Sequence, residues 1–121
     1  MQKHKTSLIG TLLILFASSA YADFASLAHN SVTNAVGTGY GYKSSEDAGA
    51  TALKACKQYS MGKAGCKVVL ITKFCFVVIS DENKNRTWTE ARSIHIARKT
   101  ARAECKANNK TKCQVIISAC A

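Results

Sequence analysis

Ala48-Gly49-Ala50-Thr51-Ala52-Leu53-Lys54-Ala55-Cys56 and Ala97-Arg98-Lys99-Thr100-Ala101-Arg102-Ala103-Glu104-Cys105 are one pattern written twice: two alanines and a cysteine, each four positions after the last. Residues four apart share a face of an α-helix, so each stretch predicts a helix with a narrow stripe of small side chains. Such a stripe lets a helix backbone lie close against a sheet. Alanine is a good helix former wherever it stands, but helix propensity alone does not put a cysteine at the same phase twice.

The likeness extends in both directions. Cys66 and Cys75 follow the first pattern at intervals of 10 and 9, and Cys113 and Cys120 follow the second at intervals of 8 and 7. Upstream, Phe24 stands 32 positions before Cys56 and Phe76 stands 29 before Cys105. In the first copy, Phe24 to Ala28 and Val36 to Tyr42 read as strands around a polar turn at Asn30 to Asn34. Gly37, Gly39 and Gly41 leave room there for a close neighbour or a bulge. Ser44 starts the helix, with Asp47 at the capping-box spacing, and the helix runs to about Tyr59 before Gly62 and Gly65 break it. The run Cys66-Lys67-Val68-Val69-Leu70-Ile71-Thr72 is β-branched and bounded by turn residues, which favours a strand.

The second copy repeats the order. Phe74 to Ser80 and Arg86 to Arg92 are strands around a turn at Asp81 to Asn85, a helix runs from Ser93 to about Ala107, and Cys113 to Cys120 is the closing strand. The fold class is α+β: two pseudo-symmetric ββαβ repeats, about 24–75 and 76–121, forming antiparallel sheet packed with two helices and stapled by disulfides. Whether the repeats share one continuous sheet or exchange strands between chains is open at this level.

The first 22 residues read differently. Lys3 and Lys5 make a basic start, Leu8 to Phe16 is apolar except for Gly10 and Thr11, and Ala20-Tyr21-Ala22 is an A-x-A site, which together predict a cleavable signal peptide. The apolar run is far short of the roughly 20 residues that span a bilayer, so no transmembrane anchor is expected after cleavage. Asp23 would open the mature chain, and the absence of a cysteine there gives no sign of lipid attachment. The expected location is the periplasm or the medium.

Residues 1–22 hold two of the 17 Lys+Arg and none of the seven Asp+Glu, so residues 23–121 carry 15 bases against seven acids, a formal +8 on one small domain of 99 residues. A chain of this size buries a limited core, and small exported domains commonly compensate with bridges worth about 2–4 kcal/mol each. All six cysteines, Cys56, Cys66, Cys75, Cys105, Cys113 and Cys120, fall in the mature part, so a disulfide framework is favoured over a metal site or a catalytic thiol. Paired CxxC spacing is absent, and neither a metal nor a cofactor is expected. Six cysteines allow 15 connectivities. Pseudo-symmetry favours Cys56–Cys66 and Cys105–Cys113, each tying a helix end to the next strand, with Cys75–Cys120 joining equivalent strand ends.

Gly39-Tyr40-Gly41-Tyr42, Ser45 leading into Ala48, Ala52-Leu53 and Cys56, and then Gly65-Cys66-Lys67-Val68-Val69 and Cys75 resemble the bacterial family called domain of unknown function 4189. Cys105, Cys113-Gln114-Val115 and Cys120 repeat the cysteine part, so the resemblance covers nearly all of the mature chain. It implies a small exported protein of this fold unit and transfers no active site, because members carry no agreed catalytic residues. Arg92, Arg98, Lys99 and Arg102 depart from the pattern, in a helix region that members often fill with alanine and glutamate.

Few residues invite chemistry. His29 and His95 in a basic, disulfide-rich chain bring to mind pancreatic-type ribonucleases, which use two histidines as acid and base, but either is more often a solvated surface residue. Glu46 and Asp47 sit where helix starts attract acids, and no serine has a GxSxG context. The remaining signal is charge. Arg92, Lys99, Arg102 and Lys106 share part of one helical face with Arg98 beside them, and Lys63, Lys67 and Lys73 add charge in the first copy. Such a face suits nucleic-acid phosphates, an anionic envelope component or an acidic protein partner, and equally a plain solvated surface. Trp88, with Tyr40 and Tyr42, would be either an exposed contact patch or core. The leading expectation is a noncatalytic exported binding module acting on an envelope component, an inhibitor target or a toxin. The alternatives are an effector hydrolysing a polyanion such as RNA, and a charge-driven antimicrobial or envelope-binding protein.

Overall fold

The computed structural model describes residues 23–121; the expected signal peptide lies outside them. Strands β1 (Phe24–Asn30) and β2 (Val36–Tyr42), helix α1 (Ser45–Tyr59) and strand β3 (Cys66–Thr72) form the first repeat. Strands β4 (Cys75–Ser80) and β5 (Arg86–Ala91), helix α2 (Ile94–Ala107) and strand β6 (Gln114–Cys120) form the second. Cys75 therefore opens the second repeat, and the link between repeats is the short 73–74 segment. Each repeat folds its strands into its own antiparallel sheet, ordered β2-β1-β3 and β5-β4-β6, so the two repeats share no continuous sheet.

Alternation along the central strands sets the layers. Ala25 and Leu27 of β1 point toward Phe76 and Val78 of β4, joined by Ala119 of β6, and this apolar cluster glues the two sheets face to face. The other face of β1 packs Ala28 on Ala52 and Cys56 of α1, while the other face of β4 packs Val77 and Ile79 on Ala97 and Ala101 of α2. The order of layers is helix, sheet, sheet, helix. Phe76, fully buried at the centre, contributes about 2–3 kcal/mol by area alone.

Both closing strands carry a bulge at the same place. Leu27 pairs with Leu70 but Ala28 with Val68, and in parallel Val78 pairs with Ile117 but Ile79 with Val115, leaving Val69 and Ile116 as the extra residues. A bulge reverses which residues face which side. Val115 thereby meets the helix layer while Ile117 meets the other sheet.

The helix starts match as well. Ser44 Oγ accepts the amide of Asp47 at 3.1 Å and Ser93 Oγ accepts that of Ile96 at 3.2 Å, each satisfying one free donor of the first turn. Acids occupy the first turn of α1, Glu46 and Asp47, and are absent from that of α2.

The hairpin turns are built on one plan with different chemistry. Asn30 Oδ1 accepts the amides of Val32 and Thr33 at 2.8 and 3.1 Å, and Asp81 Oδ1 accepts those of Asn83 and Asn85, both at 2.9 Å. Asn30 also donates, to Ser60 Oγ at 2.9 Å and to the carbonyl of Ala64 at 3.2 Å, clamping the loop before β3. A carboxylate cannot donate, and at Asp81 the ammonium of Lys110 stands 3.6 Å from Oδ2 instead. Burial raises the Asp81 pKa, but the amides of Asn85 and Asn83 and the Lys110 charge outweigh it and hold the carboxyl below its ordinary 3.8.

The cysteines pair as pseudo-symmetry favours: Cys56–Cys66, Cys105–Cys113 and Cys75–Cys120, with none free among the described residues. Cys75 and Cys120 are direct partners across the β4–β6 ladder. The equivalent places in the first repeat are Phe24 and Lys73, where the ammonium sits 5.2 Å from the ring centroid. Three disulfides fit an oxidising compartment. Among the described residues no helix is long and apolar enough to cross a membrane.

Candidate functional site

The two helices sit on unlike pads. Under α1 the sheet offers Ser26 and Ala28 of β1 paired with Gly39 and Gly37 of β2. The contact there is backbone to backbone: a Cβ on Gly37 would lie 2.3 Å from both the Ala52 carbonyl oxygen and the Cys56 amide nitrogen, and one on Gly39 2.7 Å from the Ala48 carbonyl oxygen. Under α2 the equivalent four places are Val77, Ile79, Thr89 and Thr87. Side chains of that size hold the helix backbone off the sheet, and Thr87 is exposed where Gly37 is buried.

A polar groove lies beside this helix. It runs between α2 and β6, about 740 Å³ in volume, lined by Arg98, Arg102 and the whole of residues 113–118. Arg98 and Arg102 stand one helical turn apart on the same face, and Arg98 Nη2 donates to Ser118 Oγ of β6 at 3.3 Å. Among the described residues no acidic and no aromatic side chain lines the groove. On the other flank of Arg98 and Arg102, Ile94, His95 and Lys99 complete a second concavity, so both arginines stand on the ridge between two hollows.

The same groove exists in the first repeat with the opposite chemistry. Gly49 and Leu53 of α1 hold the positions of Arg98 and Arg102, and Ile71 of β3 holds that of Ser118; the groove lined by these residues with Ala50 and Val68 is mainly apolar, with Ser45 and the acidic Glu46 at its end by the helix start. Its members Val68 and Ile71 are 38% and 43% exposed, an uncovered apolar strip where the second repeat presents guanidinium groups.

The sequence-derived candidates divide between these places. Arg98, Lys99 and Arg102 come together; Arg92, in the link before α2, and Lys106, in its last turn, are exposed but line neither hollow. Trp88 is half-buried between the sheets, opposite Val78, with its ring centroid 5.4 Å from that of His29. It lies on the inner face of its sheet, away from the arginines on the outer side. His29 Nε2–H donates to Asn34 Oδ1 at 3.3 Å. His95 is exposed on α2, across the second sheet from His29, so the two histidines do not converge. Sequence reasoning missed Gln114 and Ser118 as floor residues of the groove. Their placement depends on the β4–β6 register, in which a bulge between Val78 and Ile79 sets Ser118 opposite Val77 and Gln114 opposite Ser80, and spacing in the sequence does not reveal it.

The family model described as Domain of unknown function (DUF4189) matches residues 24–120. The chain belongs to this family. Its match begins with β1 and ends with the last residue of β6, so a DUF4189 unit comprises both repeats and all three disulfides. No curated protein and no solved structure matches the chain.

Proposed function

We propose that this DUF4189 protein is an exported, noncatalytic binding module that engages an anionic macromolecule through the ridge and groove formed by α2 and β6. The observation that carries the reading is the placement of Arg98 and Arg102 over a groove whose lining, among the described residues, has no compensating carboxylate. Guanidinium groups with no carboxylate partner among the described residues, arranged on a rigid element, supply both long-range attraction and bidentate docking for carboxylate or phosphate. Lys99 lines the adjoining hollow, and the formal +8 of residues 23–121 acts in the same direction. The disulfides on both ends of β6 hold the strand in place beneath the arginines: Cys113 is tied to α2 and Cys120 to β4. The basic start, apolar run and A-x-A site of residues 1–22 support export, as do bridges that need an oxidising compartment.

The test is capture from envelope and medium fractions with the oxidised protein as bait, washed at low salt and at about 0.5 M, where screening lengths shorten to a few ångströms. The Arg98→Ala/Arg102→Ala variant runs in parallel. Loss of the retained material in the double variant supports the assignment, and identical capture by both proteins removes the groove from consideration.

A further inference from the structure

We infer that the ligand of this groove is an acidic polypeptide segment in extended conformation, which adds as a strand to the free edge of β6 while its carboxylates meet Arg98 and Arg102. The inference rests on the proposed binding role of the groove and names the class of its partner.

Three observations converge on it. First, β6 closes its sheet on one side only: its ladder runs to β4, and among the described residues no other strand pairs with it. Such an edge presents a row of backbone donors and acceptors that a second chain can complete. Second, the groove is lined by six consecutive residues, 113–118, and not by alternate ones. Across the bulge at Ile116, Val115 and Ser118 stand opposite Ile79 and Val77 on the helix side, while Gln114 and Ile117 stand opposite Ser80 and Val78 on the other face. Residues of both faces line the hollow, which marks the strand edge between them and so gives access to the backbone groups. Third, the charge above this edge has one sign, which selects a ligand carrying carboxylates at a two-residue period.

The other anionic classes fit less well. Single-stranded nucleic acid binds on aromatic platforms, and the groove has none; Trp88 is turned into the sheet interface. A second copy of this chain is disfavoured by its own charge, because pairing β6 with β6 would bring Arg98 and Arg102 of both molecules to one seam. A different, acidic chain is the class that can use both the open strand edge and the arginines. The first repeat supplies an internal control, since β3 offers an equivalent edge beside the mainly apolar groove, without arginines.

The experiment is titration of the oxidised protein with a short peptide alternating glutamate with valine, read by fluorescence anisotropy and by amide hydrogen exchange. Two further peptides keep the same charges but are N-methylated at alternate amides, one version for each edge register. A sulfated polysaccharide and a single-stranded oligonucleotide serve as other polyanions. The parent peptide is expected to bind and to slow exchange in residues 114–119 while leaving 66–72 unchanged. N-methylation in one register is expected to weaken it by about tenfold or more, through the lost ladder bonds. Arg98→Ala/Arg102→Ala should weaken the parent peptide by about tenfold or more. Equal binding of parent and both methylated peptides overturns strand addition and leaves the anion-binding role standing. Binding of the polysaccharide or oligonucleotide without the peptide does the same. Failure of every polyanion, or indifference of peptide binding to the arginine substitutions, overturns both readings.

Discussion

Helix α1 lies on glycine, alanine and serine, and helix α2 lies on valine, isoleucine and threonine, although both carry the same stripe of alanines ending in a cysteine. The difference shows that the helix stripe alone does not fix how close a helix approaches. The sheet beneath decides. In the first repeat the small pad admits backbone contact and seats the helix against its sheet. In the second, larger side chains fill the pad, and the open edge strand that each repeat has lies here below two arginines. One duplicated unit has thus become a half with a backbone-to-backbone helix seat and a mainly apolar groove, and a half with a side-chain pad and a basic groove.

The bridge that has no counterpart in the first repeat gives the largest expected effect. Replacing Cys75 and Cys120 together by serine releases a link of sequence separation 45 and should cost about 4 kcal/mol in chemical denaturation. Lys73→Ala, which removes the cation over Phe24 at the equivalent place, should cost under about 1 kcal/mol. Comparable losses from the two would mean that the ends of the two sheets are held in the same way.

Exchanging the pads tests the contrast directly. Gly37→Thr places the second repeat's residue where a Cβ meets backbone atoms at 2.3 Å, and a loss of about 3 kcal/mol or more is expected. The reverse change, Thr87→Gly, should cost only about 1 kcal/mol, the ordinary penalty of glycine in a strand. A tolerated Gly37→Thr would show that α1 can stand off its sheet as α2 does.

A smaller effect of opposite sign is expected at Ser26, which occupies the place of Val77. Its hydroxyl is buried with no hydrogen-bond partner among the described residues, so Ser26→Ala should raise stability by about 1 kcal/mol. A destabilised alanine variant would reveal that the hydroxyl matters to the seating of α1.

The paired turns differ in their response to acid. The folded-state pKa of Asp81 is depressed, so its stabilisation is present above about pH 4 and fades as the pH falls through that lowered value. Asp81→Asn, which copies the Asn30 turn, lacks that titration. Melting temperatures followed from pH 6 to pH 2.5 should therefore fall more steeply for the native protein than for the variant. Parallel curves would separate Asp81 from the acid response.

Much of the fold was legible before the structure. Phase-matched alanines and cysteines gave two helices, the β-branched runs gave the strands, and the duplicated spacing favoured the three bridges that form. These signals are local: a period of four, a period of two and a capping serine each act within a turn or a strand. The site was legible only as a charge. Arg98, Lys99 and Arg102 were visible as a basic helix face, but Arg92 and Lys106 looked equivalent to them in the sequence and line no groove.

The sequence by itself determined the order of elements, the duplication, the family and the cysteine pairing favoured by symmetry, because each is written in short-range spacing. Only the tertiary structure decided that the repeats stack as two separate sheets, that Trp88 turns inward and that His29 and His95 stand on different layers. It also decided that the edge of β6 lies open beneath Arg98 and Arg102. The physical reason is that a strand has two faces and a bulge exchanges them. Which face meets a helix, the other sheet or solvent depends on residues that are distant in the chain and meet only after folding.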